Sequence, residues 1–174
     1  MLFRSLLSLA AGQPNLREAI TFITAGALLL DVLQLVPLVM AGQTPQVALA
    51  SLAPGLSIGL KLEPLGMLFA VIASGLWLVN SLYSVGYMRG NQEAHQTRFF
   101  AFFALSIAAT MGIAAAGNLL TLFVFYELLT LLTFPLVTHH GDPEAVRGGR
   151  VYLFILLATS MLLLLPAQIG RAHV

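Results

Sequence analysis

NLLTLFVFYELLTLLTFPL, running from Asn118 to Leu136, decides the fold. A run this long and this apolar approaches the roughly 20 residues that an α-helix needs to cross a hydrocarbon layer about 30 Å thick. It also carries one carboxylic acid, Glu127, near its middle. Reading outward gives five such stretches: Ala19 to Met40, Gly66 to Met88, Phe99 to Ala116, Leu119 to Thr138 and Val151 to Gln168. The apolar run within Met1 to Ala11 is too short to span and reads as the remnant of a further helix rather than a signal peptide. Composition agrees. Of 174 residues, 59% are hydrophobic and 9% charged, and the mean hydropathy is +0.92. A soluble domain would carry about 25% charged residues to coat its surface. The fold class expected is an all-α membrane protein, a polytopic transmembrane helix bundle of about five full spans plus a partial first helix.

The connections order these spans. Gly117 and Asn118 alone separate the third from the fourth, which makes them an antiparallel hairpin. Between the first and second, Ala41 to Pro64 contains Pro45 and Pro54, and alternates as QVALASL and LSIGLKL. That alternation predicts a small extramembrane β-hairpin. Small residues from Ala108 to Gly117 give the third span a face suited to close helix packing. Arg17, Arg89, Arg98, Arg147 and Arg150 fall on one membrane side and Lys61 on the other, so the positive-inside rule puts the arginine side in the cytoplasm.

Several functions are excluded or disfavoured by residue type. The sequence has no cysteine, so no disulfide, thiolate metal site or cysteine nucleophile is available. A net charge of +1 with scattered basic residues argues against a nucleic-acid partner. No phosphate-binding glycine loop follows a strand, and nothing orients a serine nucleophile at Ser74. No cofactor or metal site is expected.

Two acids sit deep in apolar spans. Glu127 lies around 13 Å from either end of its helix. A carboxylate at that depth is expected to face the bundle interior, to pair with a cation or to bind a proton. Desolvation favours the protonated carboxyl and a nearby ammonium favours the carboxylate, so a moving lysine would switch the group between holding and releasing a proton. The plainer alternative is a glutamate that only fastens helices. Thr130, one turn on, could share its face. Pro135 cannot donate to the Leu131 carbonyl and could open the helix there, or simply kink its end. Asp31, with Gln34 one turn away, reads as a local polar patch or a helix-to-helix hydrogen bond. His139 and His140 point to different faces, which disfavours chelation; their imidazoles could pass protons at a channel mouth or simply be solvated. Glu63, Glu93, Arg89 and Arg98 read as interfacial.

The wording of three segments carries a resemblance: EPLGMLFAVIASGLWLVNSLYSVGYMRG (Glu63 to Gly90), TRFFAFFALSIAATMGIAAAGNLLTLFVFYELLTLLTFPLVTHH (Thr97 to His140) and AVRGGRVYLFILLATS (Ala145 to Ser160). The chain resembles the antiporter-like membrane subunits shared by respiratory complex I (the chain M, L and N type of NADH:quinone oxidoreductase) and the multisubunit Mrp-type Na+/H+ antiporters, most of all the D-subunit and chain M types. The resemblance implies a larger inverted-repeat transporter fold of about fourteen helices. It implies multi-pass insertion in a bacterial inner membrane, other membrane subunits and the lipid bilayer as partners, and protons, with Na+ in the antiporters, as cargo. By the match of its helix motif, Glu127 corresponds to the glutamate that pairs with a lysine on a broken helix further along the chain. Asp31 matches no family motif.

On this reading residues 1–168 are a truncated antiporter-like transmembrane domain that is inactive alone, and the subunit carries no redox centre of its own even if its parent complex oxidises NADH. Residues 169–174, Ile-Gly-Arg-Ala-His-Val, read as a non-native tail, because the adapter read ATC GGA AGA GCA CAC GTC TGA translates to the same six residues and a stop. The competing function is a non-catalytic membrane scaffold subunit.

Overall fold

A computed structural model describes residues 13–53, 56–139 and 141–172. The partial helix expected over Met1 to Ala11, and His140, lie outside the described residues. The elements are α1 (Pro14–Met40), β1 (Gln46–Ala53), β2 (Leu56–Lys61), α2 (Pro64–Gly90), α3 (Gln96–Ala114), α4 (Leu119–Val137) and α5 (Pro143–Ala172). All five helices are long and apolar enough to cross a membrane, as the five hydrophobic stretches predict.

The helices begin where the sequence supplies starts. Pro14 and Pro64 occupy the first turns of α1 and α2, where a missing N–H costs nothing. Asn118 caps α4, its Oδ1 accepting from the Thr121 backbone N at 2.8 Å, which satisfies one of the free donors at a helix start. α1 begins five residues before the expected span, so Arg17 and Glu18 belong to the helix itself, not to the segment preceding it. α3 stops at Ala114 because the next backbone groups pair with the hairpin instead. Lys61 N donates to Ala115 O at 2.7 Å, and Gly117 N to Gly59 O at 3.0 Å.

Each helix packs on its neighbour in sequence, α1 on α2, α2 on α3, α3 on α4 and α4 on α5, with α1 also touching α3. An apolar cluster of Val32, Val39, Met67 and Ala70 joins α1 to α2 near the hairpin. Elsewhere the buried faces carry hydroxyls: Ser74, Ser81, Ser84, Ser106, Thr121, Thr130 and Ser160 are all buried. Leu65, Leu76, Leu82, Phe154 and Leu162 point outward. Apolar outside and small polar inside is the packing that lipid imposes, because lipid tails supply no hydrophobic drive between helices. Most of these hydroxyls bond a carbonyl one turn back, as Ser106 Oγ does to Phe102 O at 2.8 Å, and so hide their own polarity.

The alternating segment forms the expected antiparallel hairpin, with Gln46 opposite Lys61 and Val47 opposite Leu60. β2 lies against the α3–α4 turn. Besides the two backbone bonds above, Gly59 N donates to Thr121 Oγ1 at 3.0 Å and Asn118 Nδ2 to Ser57 O at 2.8 Å.

Gly112 and Gly66 sit at close approaches between elements. A methyl on Gly112 would meet the Phe125 ring Cδ1 at 2.2 Å, which brings α3 and α4 together on the expected small-residue face. A methyl on Gly66 would fall 2.0 Å from the Ala114 carbonyl oxygen, a backbone atom one residue before the Ala115 carbonyl that β2 holds. Gly75 has open space around it. In the full-length protein in detergent, Gly66→Ala should therefore cost about 1–3 kcal/mol of stability. Gly75→Ala should be neutral or gain up to about 1 kcal/mol from helix propensity. Thermal midpoints of the two variants, compared side by side, check the contrast.

Candidate functional site

α4 and α5 build the site. The cap at Asn118 and its hairpin contacts set where α4 starts, which places Glu127 about 12 Å along the helix from Leu119 and about 15 Å from Val137. Glu127 is half-buried and faces α5. Its Oε1 accepts from the Ser160 hydroxyl, which also donates to the Leu157 carbonyl at 3.0 Å. Its Oε2 is buried and meets no hydrogen-bond partner among the described residues. One carboxyl oxygen is thus held and the other left open in a dry setting. Such an oxygen can carry a proton, or accept from an approaching ammonium group or water.

The other residues singled out in the sequence do not join this pair. Thr130 is buried one turn from Glu127, but its Oγ1 donates to Tyr126 O at 3.0 Å, within its own helix. α4 continues through Pro135 to Val137, and the proline leaves the Leu131 carbonyl without its helical donor. His139, just past the end of α4, is half-buried. Its ring stands edge-on to Phe99 with centroids 5.7 Å apart, and its carbonyl accepts from Arg98 at 3.0 Å. Asp31 is exposed on α1, which packs on α2 and α3. Ser160 was not singled out. Its signal was present in AVRGGRVYLFILLATS, where Thr159 and Ser160 flank the middle of the last expected span, the depth of Glu127 on the neighbouring helix.

The chain as a whole resembles known membrane proteins. Residues 52–100 match the model of the amino-terminal part of chain 5 of NADH-ubiquinone oxidoreductase (complex I). Over 122 residues the chain is 30% identical to Na+/H+ antiporter subunit A1 of Staphylococcus aureus (strain bovine RF122 / ET3-1), covering 66% of this chain and 15% of that protein. Subunit A1 of strain N315 matches over the same length at 29%. In structure, the chain is similar to one from the membrane-bound sulfane sulfur reductase, an archaeal respiratory membrane complex, with a TM-score of 0.78 and 22% identity over 97% of this chain and 26% of that one. It is similar also to a chain of the Mrp complex from Dietzia sp. DQ12-45-1b, with a TM-score of 0.74 and 24% identity over 94% of this chain and 31% of that one. The chain is similar to antiporter-like membrane subunits of the Mrp and complex I type.

It is a multi-pass integral membrane protein, and it spans 15% of the length of the curated relatives it matches. The sequence relatives named above are A-type subunits, where the motif resemblance leaned to the D type. Glu127 lies beyond the residues matched to the chain 5 model.

The chain has a second polar cluster, at the arginine end of the bundle. Glu18 is buried, and its two carboxylate oxygens accept from Arg89 at 2.7 and 2.6 Å. Arg89 also donates to Asn15 Oδ1 at 2.5 Å. Arg17, buried beside Glu18 at 3.6 Å, donates to Gln96 Oε1 at 2.6 Å and sits over the Phe100 ring at 5.4 Å. Arg89, read as interfacial from sequence, is half in water and half in this cluster, with its side chain 48% exposed. Glu18 was not singled out, although its neighbour Arg17 was. The cluster ties α1 to α2 and α3, so its weight rests on the buried acid shared by both arginines. Glu18→Ala should lower the thermal midpoint by several degrees, and by more than Arg89→Ala, whose loss leaves Glu18 still beside Arg17. The reverse order in paired melting curves would shift that weight to the Arg89–Asn15 contact.

Proposed function

We propose that this chain is part of a cation/H+-translocating membrane subunit working inside a multisubunit complex, in which Glu127 is a proton relay. One observation carries the reading: a carboxyl group near mid-depth with Oε1 fixed by Ser160 and Oε2 buried and unpartnered among the described residues. Ser160 holds the side chain in place while Oε2 exchanges its proton. In the neutral state Oε2 bears the proton. When a cationic side chain approaches, the Oε2 proton passes to a water molecule and the carboxylate is stabilised by the new charge. Thr130, Pro135, His139 and His140 are supporting positions along α4 and at its mouth, and Asp31 lies off this path.

The same observation supports inactivity of the chain by itself. Its single lysine is Lys61, which sits at the hairpin end and is bonded to Glu63 at 2.7 Å. A lysine for Glu127 has to come from outside this chain. The likeness to an Mrp complex and to a respiratory membrane complex supports the multisubunit setting, and the antiporter relatives support protons and Na+ as the ions moved.

The alternative is a scaffold in which the Glu127–Ser160 contact only fastens α4 to α5. In the full-length protein, reconstituted with its complex into vesicles, Glu127→Gln should cut proton transport about 100-fold while the complex still assembles. Ser160→Ala should keep part of the activity and shift its pH profile. Wild-type transport by Glu127→Gln, with loss of stability in both variants, would assign the pair to helix fastening alone.

A further inference from the structure

Trp77, the chain's single tryptophan, stands at the midpoint of α2, about 20 Å along the helix from both Pro64 and Gly90. It is 4% exposed, and Ser81, one turn nearer the arginine end, is 1% exposed. With Ser74, Ser84 and Met88 they belong to the buried face of α2, in a helix that packs on both α1 and α3. Other buried hydroxyls are met within their own helices: Ser74 Oγ donates to Val71 O at 3.1 Å and Thr21 Oγ1 to Arg17 O at 3.0 Å. Ser81 is not. Its Oγ and the Nε1 of Trp77 are both buried and meet no hydrogen-bond partner among the described residues. An indole N–H only donates, so turning the Ser81 hydroxyl onto its own helix would still leave Nε1 without an acceptor.

Buried polar atoms are nearly always paired with protein or with ordered water, because an unmet donor keeps the whole cost of leaving bulk water. Residues four apart on a helix share a face, with Cβ atoms about 5–6 Å apart, a spacing that one water molecule can bridge. The indole is not closely packed on every side. With Asn80 and Phe103 it lines a groove of about 540 Å³ between α2 and α3, where the Asn80 amide offers a third polar group, and an internal water needs two to four such partners. We infer that α2 binds an ordered water molecule that accepts from Trp77 Nε1 and hydrogen-bonds to Ser81 Oγ. Both atoms are covered within this chain, so a helix laid against the outside of the bundle does not reach them. Toward the hairpin, the apolar cluster of Val32, Val39, Met67 and Ala70 closes the seam. Toward the arginine end, Ser84 is buried on the same face, and Arg17 Nε is a further buried donor without a partner among the described residues. The water is therefore the inner end of a polar seam that runs to Arg17 and Glu18, on different helices from Glu127 and Ser160. The inference takes nothing from the relay reading.

The test is a cryo-EM map of the full-length protein in its complex, at a resolution where ordered water is visible elsewhere in the membrane region. The expected result is a density peak within about 2.7–3.2 Å of both Trp77 Nε1 and Ser81 Oγ. Ser81→Val, which puts methyl groups in the place of the hydroxyl and the water, should lose that peak. Ser74→Ala, which removes a hydroxyl already bonded to its own helix, should keep it. X-ray footprinting read by mass spectrometry gives a second measurement: hydroxyl radicals formed in place from the bound water should oxidise Trp77 in the wild-type complex, and Ser81→Val should lose that label. Should Ser81→Val fail to assemble, the wild-type map and the wild-type label decide. Water visible elsewhere in the map but none between Trp77 and Ser81, a protein side chain in its place, a peak unchanged by Ser81→Val, or an unlabelled Trp77 would each overturn the inference. None of these outcomes bears on whether Glu127→Gln blocks transport, so the water site and the relay stand or fall separately.

Discussion

A helical turn at a membrane boundary leaves backbone groups that neither helix can satisfy, and in this chain those of the α3–α4 turn go to the β-hairpin. Ala115 O and Gly117 N pair with β2, while Asn118 both caps α4 and holds Ser57 O. These bonds fix where α4 begins. Because a helix rises about 1.5 Å per residue, they also fix the depth at which Glu127 meets Ser160. A slip of one residue would turn the carboxyl about 100° around the helix axis and take it away from α5. The geometry of the site therefore rests on main-chain pairing some 12 Å from it.

Three acids on these helices illustrate how differently a bundle can treat the same functional group. Glu18 is buried with two arginines and has both oxygens engaged. Glu127 has one oxygen engaged and the other open. Asp31 faces outward with neither engaged among the described residues. The first suits a fastener, since removing any partner strands a charge. The second leaves one oxygen held and the other available to a proton or a donor, the arrangement on which the proposed relay rests. The third lies on the outer face of α1.

The sequence carried the architecture well, because lipid imposes a length and a composition that can be counted. The five spans, the tight α3–α4 hairpin, the small-residue contact at Gly112 and the β-hairpin between α1 and α2 were all legible from hydropathy, glycine placement and alternation. Helix ends were less so. α1 and α5 begin before their apolar runs, since amphipathic turns carrying Arg17, Glu18, Arg147 and Arg150 continue the helix past the hydrocarbon edge. The candidate site was legible in one member. A lone acid in an apolar run announces itself, whereas Ser160 is one of many membrane hydroxyls and gains meaning only from the α4–α5 pairing. Glu18 was hidden for the converse reason: an acid beside an arginine at a helix start looks solvated until α2 brings Arg89 to it from 71 residues away.

That long sequence separation bears on how the protein is made. α1 leaves the ribosome with Arg17 and Glu18 already in it, while Gln96 and Thr97, which complete the Arg17 environment, follow 79 and 80 residues later. At a synthesis rate of about 5–20 residues per second, the interval is roughly 4 to 16 s. During that wait the amino-terminal end of α1 has to stay at the headgroup layer or within the insertion machinery. α1 is thus locked only once α2 and α3 have arrived, and they set its final tilt.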